Sequence, residues 1–170
     1  MTVESVNDEN YSDFKNFSRA ALIISTSTCQ KCREYLPVIE TLSGQMPYIR
    51  FGKIILDKDR STQLKREHSD LGSWTLPTTL LFLNQREAGR ISGMSFYPQT
   101  LSRIQEALIL GTTIYVSNGS GIYVPASIKQ MKGIKGPYTA QILEQSGLGQ
   151  RGKVVPLSEG DFKWNLEERV

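Results

Sequence analysis

The chain has 170 residues, 39% hydrophobic and 22% charged, with a net charge of +3. That is the make-up of a globular protein, neither disordered nor fibrous, with room for one domain and a smaller unit. Residues 1–110 carry 13 basic and 12 acidic side chains and residues 111–170 carry 7 and 5, so neither nucleic acid nor a membrane surface is indicated as a partner.

The start, MTVESVNDEN, is polar and acidic and lacks the basic head and apolar run of a secretory signal. The longest uncharged stretch, Ala107 to Ile128, is interrupted by Gly111, Gly119, Gly121 and Pro125, which argues against a membrane span. A cytoplasmic setting is therefore expected. There, structural disulfides are rare and a close cysteine pair points to redox chemistry or metal.

In chain order, Asn7 or Asp8 is placed to cap a first helix, on which Tyr11, Phe14 and Phe17 form an apolar stripe. AALIIST, residues 20–26, is short, apolar and β-branched, hence a buried strand. The two cysteines, Cys29 and Cys32, follow at once. CREYLPVIETLSG then reads as a helix with Tyr35, Leu36, Ile39 and Leu42 on one face, a kink at Pro37 and a stop at Gly44. Residues 49–57 form a second buried strand and residues 60–72 a polar helix. Residues 75–84 form a third strand led by a proline. Gln85 to Glu87 make a turn, AGRISG gives a fourth strand, and residues 97–110 form a closing helix with Leu101, Ile104 and Leu108 on one stripe. Strands alternating with helices, then a hairpin, predict an α/β fold with a mixed sheet.

After Leu110 the texture changes, and Gly111 marks the boundary of a β-rich unit, residues 111–170. TTIYVSNGSGIYV reads as two strands around a turn, and GKVVPLSEGDFKWNLEE as a second hairpin with Phe162, Trp164 and Leu166 alternating inward. Between them, PYTAQILEQSG fits either a helix from Pro137 to Gly147 or a further strand. Tyr115, Tyr123, Tyr138 and Trp164 suit a small core better than an exposed recognition surface.

Cys29 and Cys32 sit where a strand feeds a helix. Unpaired N–H groups and the helix dipole favour an anion there, which lowers a thiol's pKa from about 8.5. Lys31 and Arg33 add positive charge. Cys29 is then the nucleophile on a disulfide and Cys32, deeper in the helix, resolves the mixed disulfide. Zinc needs four ligands, and the chain offers no third cysteine and one histidine, His68 on a polar helix. A cysteine protease would need a histidine partner for which nothing argues.

These features resemble the thioredoxin family over about residues 4–110. The resemblance rests on the Cys29/Cys32 CxxC, on Pro37 five residues beyond it and on GKIILD with Lys53. It rests also on Leu76-Pro77-Thr78, which looks like the family's cis-proline motif, and on FLNQRE with Gly93. It implies a thioredoxin-like mixed sheet flanked by helices, with Pro77 cis and the Leu76 backbone free to pair with a substrate strand. It implies catalysis by Cys29 and Cys32. Thr28, Gln30, Lys31, Leu76 and Pro77 would meet substrate, with Lys53 and Pro37 in support and no metal. No cofactor is implied beyond the redox-active disulfide. The partners implied are a protein bearing a disulfide or dithiol and an electron donor such as a thioredoxin reductase.

The sequence also departs from the family pattern. Gln30-Lys31 replaces Gly-Pro, and Thr28 replaces a tryptophan. Ile23 stands where the family has a buried acid that helps take the proton from the second thiol, which leaves water, Lys53 or the substrate for that task. Lys31 pushes the potential toward the oxidising side. The reading is a thiol-disulfide oxidoreductase. The alternatives are a partner-binding or assembly protein with residues 111–170 as its recognition element, or a thiol redox switch.

Overall fold

In a computed structural model of the chain, the described residues are 3–117, 119–144 and 151–165. The chain divides into two compact units, Met1–Leu108 and Ile109–Val170. No helix among the described residues is long and apolar enough to cross a membrane.

The first unit contains strands β1 (Glu4–Ser5), β2 (Arg19–Ser25), β3 (Arg50–Ile55), β4 (Thr78–Leu83) and β5 (Arg86–Ser92) and helices α1 (Tyr11–Lys15), α2 (Gln30–Gln45), α3 (Thr62–Glu67) and α4 (Tyr97–Leu108). The sheet order is β1-β3-β2-β4-β5. β1 and β2 run parallel to β3, while β4 is antiparallel to both β2 and β5. The mixed sheet is the one the resemblance implied.

β2 lies at the centre and is buried on both faces, as its unbroken apolar run requires. Ala20, Leu22 and Ile24 point to one face, where they join Val6, Tyr11, Phe14, Leu64, Leu80 and Phe82 in the core. Gly52, paired with Leu22, makes room on that face: a Cβ there would lie 2.6 Å from the Phe14 ring and 2.7 Å from Val6. Ala21 and Ile23 point the other way. On that side α2 and α4 meet where the buried Tyr35 hydroxyl donates to Thr100 Oγ1 at 3.3 Å.

Several element boundaries differ from expectation for local reasons. α1 ends at Lys15, so Phe17 falls off the apolar stripe and is 37% exposed. Asn10 holds the cap position of α1. Asp8 instead accepts from Gln63 N–H at 3.1 Å, at the start of α3. α2 runs through Gly44 to Gln45, because a helix tolerates one glycine. The polar helix splits into α3 and a 3₁₀ turn, Leu71–Ser73. Asn84 and Gln85, with φ of 50° and 71°, form the β4–β5 turn, so Arg86 and Glu87 belong to the strand. β1 is an edge strand that pattern reading does not find.

The second unit is a five-stranded antiparallel sheet of β6 (Thr113–Ser117), β7 (Tyr123–Met131), β8 (Tyr138–Ile142), β9 (Val154–Leu157) and β10 (Phe162–Lys163), in the order β10-β6-β7-β8-β9. The β-rich expectation holds. The YTAQI stretch is strand, not helix, and Pro137 precedes it after a cis peptide bond. β9 and β10 are not a hairpin. β9 pairs with β8, and a 3₁₀ turn at Glu159–Asp161 sends β10 back to β6. Tyr138, Phe162 and Trp164 pack edge to face with ring centroids 5.0–5.7 Å apart. Tyr138 and Trp164 are therefore core, while Tyr115 and Tyr123 are half-buried. Leu166, Asn118 and Gly147 lie outside the described residues.

Candidate functional site

β2 and β3 are parallel and β4 runs against them, with Ile24 opposite Thr78. The loop after Ser25, the turn after Ile55 and the loop entering Thr78 therefore leave the sheet at one end. Of the expected catalytic, substrate-binding and supporting residues, all except Lys53 and Pro37 lie on those loops or on the first turn of α2.

Cys29 occupies the N-cap of α2, and Cys32 lies in its first turn. The two are joined in a disulfide. Cys32 N–H donates to Cys29 Sγ at 3.2 Å, so a backbone donor of the helix end already points at that sulfur. Cys29 is half-buried and Cys32 is 7% exposed. Thr28, Gln30 and Lys31 are exposed around them. The Leu76–Pro77 bond is cis. Pro77 is buried and its carbonyl accepts from Gly93 N–H at 2.8 Å. Among the described residues, no backbone hydrogen bond engages the N–H or C=O of Leu76. Pro37 lies within α2, away from the cysteine turn, and its carbonyl accepts from the Thr41 hydroxyl at 2.9 Å.

A cavity of about 200 Å³ lies beside Cys32. Ile23 from β2 and Lys53 from β3, direct partners in the sheet, both line it, as does Leu36 from α2. Lys53 is half-buried.

Two supports of the loop before Cys29 were not foreseen. Asp57 accepts from Ser27 N–H at 2.8 Å and from the Ser27 hydroxyl. These bonds hold the Asp57 carboxyl below its ordinary pKa of 3.8. Arg33 donates to Ser27 O at 3.0 Å and to Gln30 Oε1 at 2.6 Å, and Gln30 donates on to Glu34 at 3.0 Å. A carboxylate near the end of one strand and an arginine four residues after a helix cap are weak signals without the topology. No group of three or more His, Cys, Asp or Glu suited to a metal exists among the described residues.

No protein-family model matches the chain. A thioredoxin of Chlamydia pneumoniae is 26% identical over 92 residues, which is 54% of this chain and 85% of that protein. A thioredoxin of Chlamydia muridarum matches the same shares of both chains at 25% identity. Among solved structures, spinach chloroplast thioredoxin f superposes with a TM-score of 0.53 at 24% identity, covering 62% of this chain and 93% of its own. A mutant thioredoxin of Halobacterium salinarum gives 0.55 at 21% identity, covering 64% and 93%. The first unit has a thioredoxin-like fold. Over a third of the chain lies outside each of these matches. Within that fold, the disulfide, the helix cap and the cis-proline loop sit together at one end of the sheet.

Proposed function

We propose that the chain is a thiol-disulfide oxidoreductase acting on protein disulfides, with Cys29 the nucleophile and Cys32 the resolving thiol. The observation that carries this is the asymmetry of the pair. Cys29 is the more accessible sulfur and receives an N–H from the end of α2, whereas Cys32 is buried behind it. A thiolate at Cys29 would be stabilised where a partner can reach it. It attacks one sulfur of a client disulfide, and the client's other sulfur leaves as a thiolate. Cys32 then attacks Cys29 Sγ. The client departs reduced, and the Cys29–Cys32 bond re-forms with the two electrons spent. A dithiol donor, such as a thioredoxin reductase, restores the pair.

The exposed Thr28, Gln30 and Lys31 and the unpaired backbone of Leu76, with Pro77 beneath it, form the surface against which an extended client segment would lie. Its strand-like pairing with Leu76 would fix the client's register, as in strand addition generally. A cytoplasmic setting suits a dithiol that must be kept reduced.

The test is insulin reduction with a dithiol as electron source. The wild type should accelerate precipitation of the insulin B chain, and Cys29→Ser should abolish the acceleration. Cys32→Ser should instead accumulate a stable mixed disulfide through Cys29, detected by mass. A wild type with no activity and no captured client would reject the enzyme reading.

A further inference from the structure

We propose that Phe96, Met94 and the groove beside them form a second recognition subsite, which takes a client segment carrying a bulky apolar side chain next to a carboxylate. This rests on the oxidoreductase reading above and specifies which clients it favours. Among the described residues of the first unit, three large apolar side chains stand exposed: Phe17, Met94 and Phe96. Two of them flank Ser95, and Phe96 is 73% exposed. An open groove of about 490 Å³ begins there, lined by Ile91 from the end of β5, by Ser95, and by Pro98 and Arg103 from α4. Its wall is mostly apolar. Apolar side chains held in water beside such a groove lose that exposure when a partner covers them.

The segment that presents these side chains is anchored on both sides. Gly93 N–H donates to Pro77 O, Phe96 O accepts from Thr100 N–H at 3.0 Å, and the Tyr97 hydroxyl donates to Gln45 of α2. Ser95 Oγ turns inward and lies 2.7 Å from Thr100 Oγ1, which also accepts from the Tyr35 hydroxyl. Tyr35 follows Cys32 by one turn of α2. A chain of hydrogen bonds thus joins the cysteine helix to the groove wall, and the Gly93 bond joins the same segment to the cis-proline loop. A surface fixed before binding costs little to order. The groove is therefore continuous with the surface on which Leu76 would pair with a client strand, and the same client segment is its occupant. Charge adds to this. Arg103 donates to Arg90 O at 2.9 Å and enters no ion pair among the described residues. A client carboxylate beside the apolar side chain would pair with it.

The experiment reads recognition from which peptide reacts fastest. Synthetic peptides each carry one cysteine activated as a thiopyridine disulfide in a Gly-Ser background. A Leu-Glu pair is moved stepwise along the peptide on either side of that cysteine. Thiopyridone release by the reduced Cys32→Ser protein reports attack by Cys29. Each rate is divided by the same protein's rate on dithiodipyridine, which has no peptide segment. One placement of Leu-Glu should react about tenfold faster than the plain Gly-Ser peptide, as burial of much of one Leu side chain implies. In the same background, Phe96→Ser should cut that preference to less than about threefold. Replacing Glu with Gln in the preferred peptide should slow attack about threefold, and Arg103→Gln should erase the difference between the two peptides. Equal rates at every placement, or a preference that survives Phe96→Ser, overturn the subsite. Insulin reduction run alongside separates the two failures: activity there leaves the oxidoreductase reading intact, and none overturns both. A wild type that sediments as a dimer, and as a monomer after Phe96→Ser, gives the groove to a second copy and overturns the client assignment.

Discussion

Asp57 holds Ser27 by two hydrogen bonds, one from the backbone N–H at 2.8 Å and one from the hydroxyl, and so ties the loop that presents Cys29 to the turn after β3. Because these bonds favour the charged carboxylate, the folded pKa of Asp57 lies below its ordinary value of 3.8. A group depressed on folding adds stability above its unfolded pKa, and that contribution is lost as pH falls through the folded value. Asp57→Asn should therefore have a lower Tm than wild type at neutral pH. The gap should narrow as pH drops below about 3.8. Thermal melts of both proteins at pH values on either side check this. A gap that does not depend on pH would show that the charge of Asp57 is not what holds Ser27.

Two glycines of the first unit should respond to alanine in opposite ways. Gly52 faces Phe14 and Val6 so closely that a methyl group would clash at 2.6–2.7 Å. Gly52→Ala should cost about 1–3 kcal/mol through overpacking. Gly44 is interior to α2 with nothing within 4 Å of an added Cβ, so Gly44→Ala should stabilise by about 0.5–1 kcal/mol. Urea midpoints at unchanged m-value measure both. Matching signs would contradict the packing described for Gly52.

The Thr79 hydroxyl is buried in β4 with no hydrogen-bond partner among the described residues. It sits between Ile23 on β2 and Ile91 on β5. Replacing an unsatisfied buried hydroxyl with a methyl of similar shape removes a desolvation penalty of about 1–3 kcal/mol. Thr79→Val should raise the urea midpoint, with a gain in unfolding free energy near the lower end of that range. A lowered midpoint would mean that the hydroxyl has a bonding partner in solution.

In the second unit, stability should concentrate in three rings. Phe162→Ala removes a side chain packed edge to face on both Tyr138 and Trp164. Core aromatic truncations of this kind cost about 3–5 kcal/mol. Tyr138→Phe loses the hydrogen bond from its hydroxyl to Ile134 O, 2.8 Å, a bond of a kind worth about 1 kcal/mol. Trp164 is the intrinsic fluorophore for this unit. Substituting Trp74 with Phe isolates its signal, since the chain has 2 tryptophans. A Phe162→Ala protein whose Trp164 transition is unshifted would refute the three-ring core.

What was legible in the sequence depended on how local its cause was. β2 and β4 announce themselves because a strand buried on both faces must be continuously apolar. The Cys29 turn was legible because a cap and its helix are neighbours in sequence. Asp8 misled because an oxygen suited to its own helix was used 55 residues away, on the N–H of Gln63. Residues 154–164 misled because a hairpin and a pair of strands on opposite edges share the same alternation. Which of the two forms depends on where β6 and β8 lie, and that is a property of the whole unit. The resemblance already set Lys53 against the gap at Ile23, but their direct pairing in register came only with the sheet. Their separate oddities were readable, but the single cavity they line was not.

The shortest element of the first sheet has a practical consequence. β1 is two residues long, yet it covers the outer edge of β3, pairing Glu4 with Gly52 and Ser5 with Lys53, while Val6 N–H donates to Lys53 O at 2.8 Å. Trimming the chain to begin after Val6 would strip that cover and leave β3 as a bare edge whose free backbone groups invite a neighbouring molecule to add a strand. Sample preparation would register the loss first, as turbidity or higher oligomers at concentrations the intact protein tolerates.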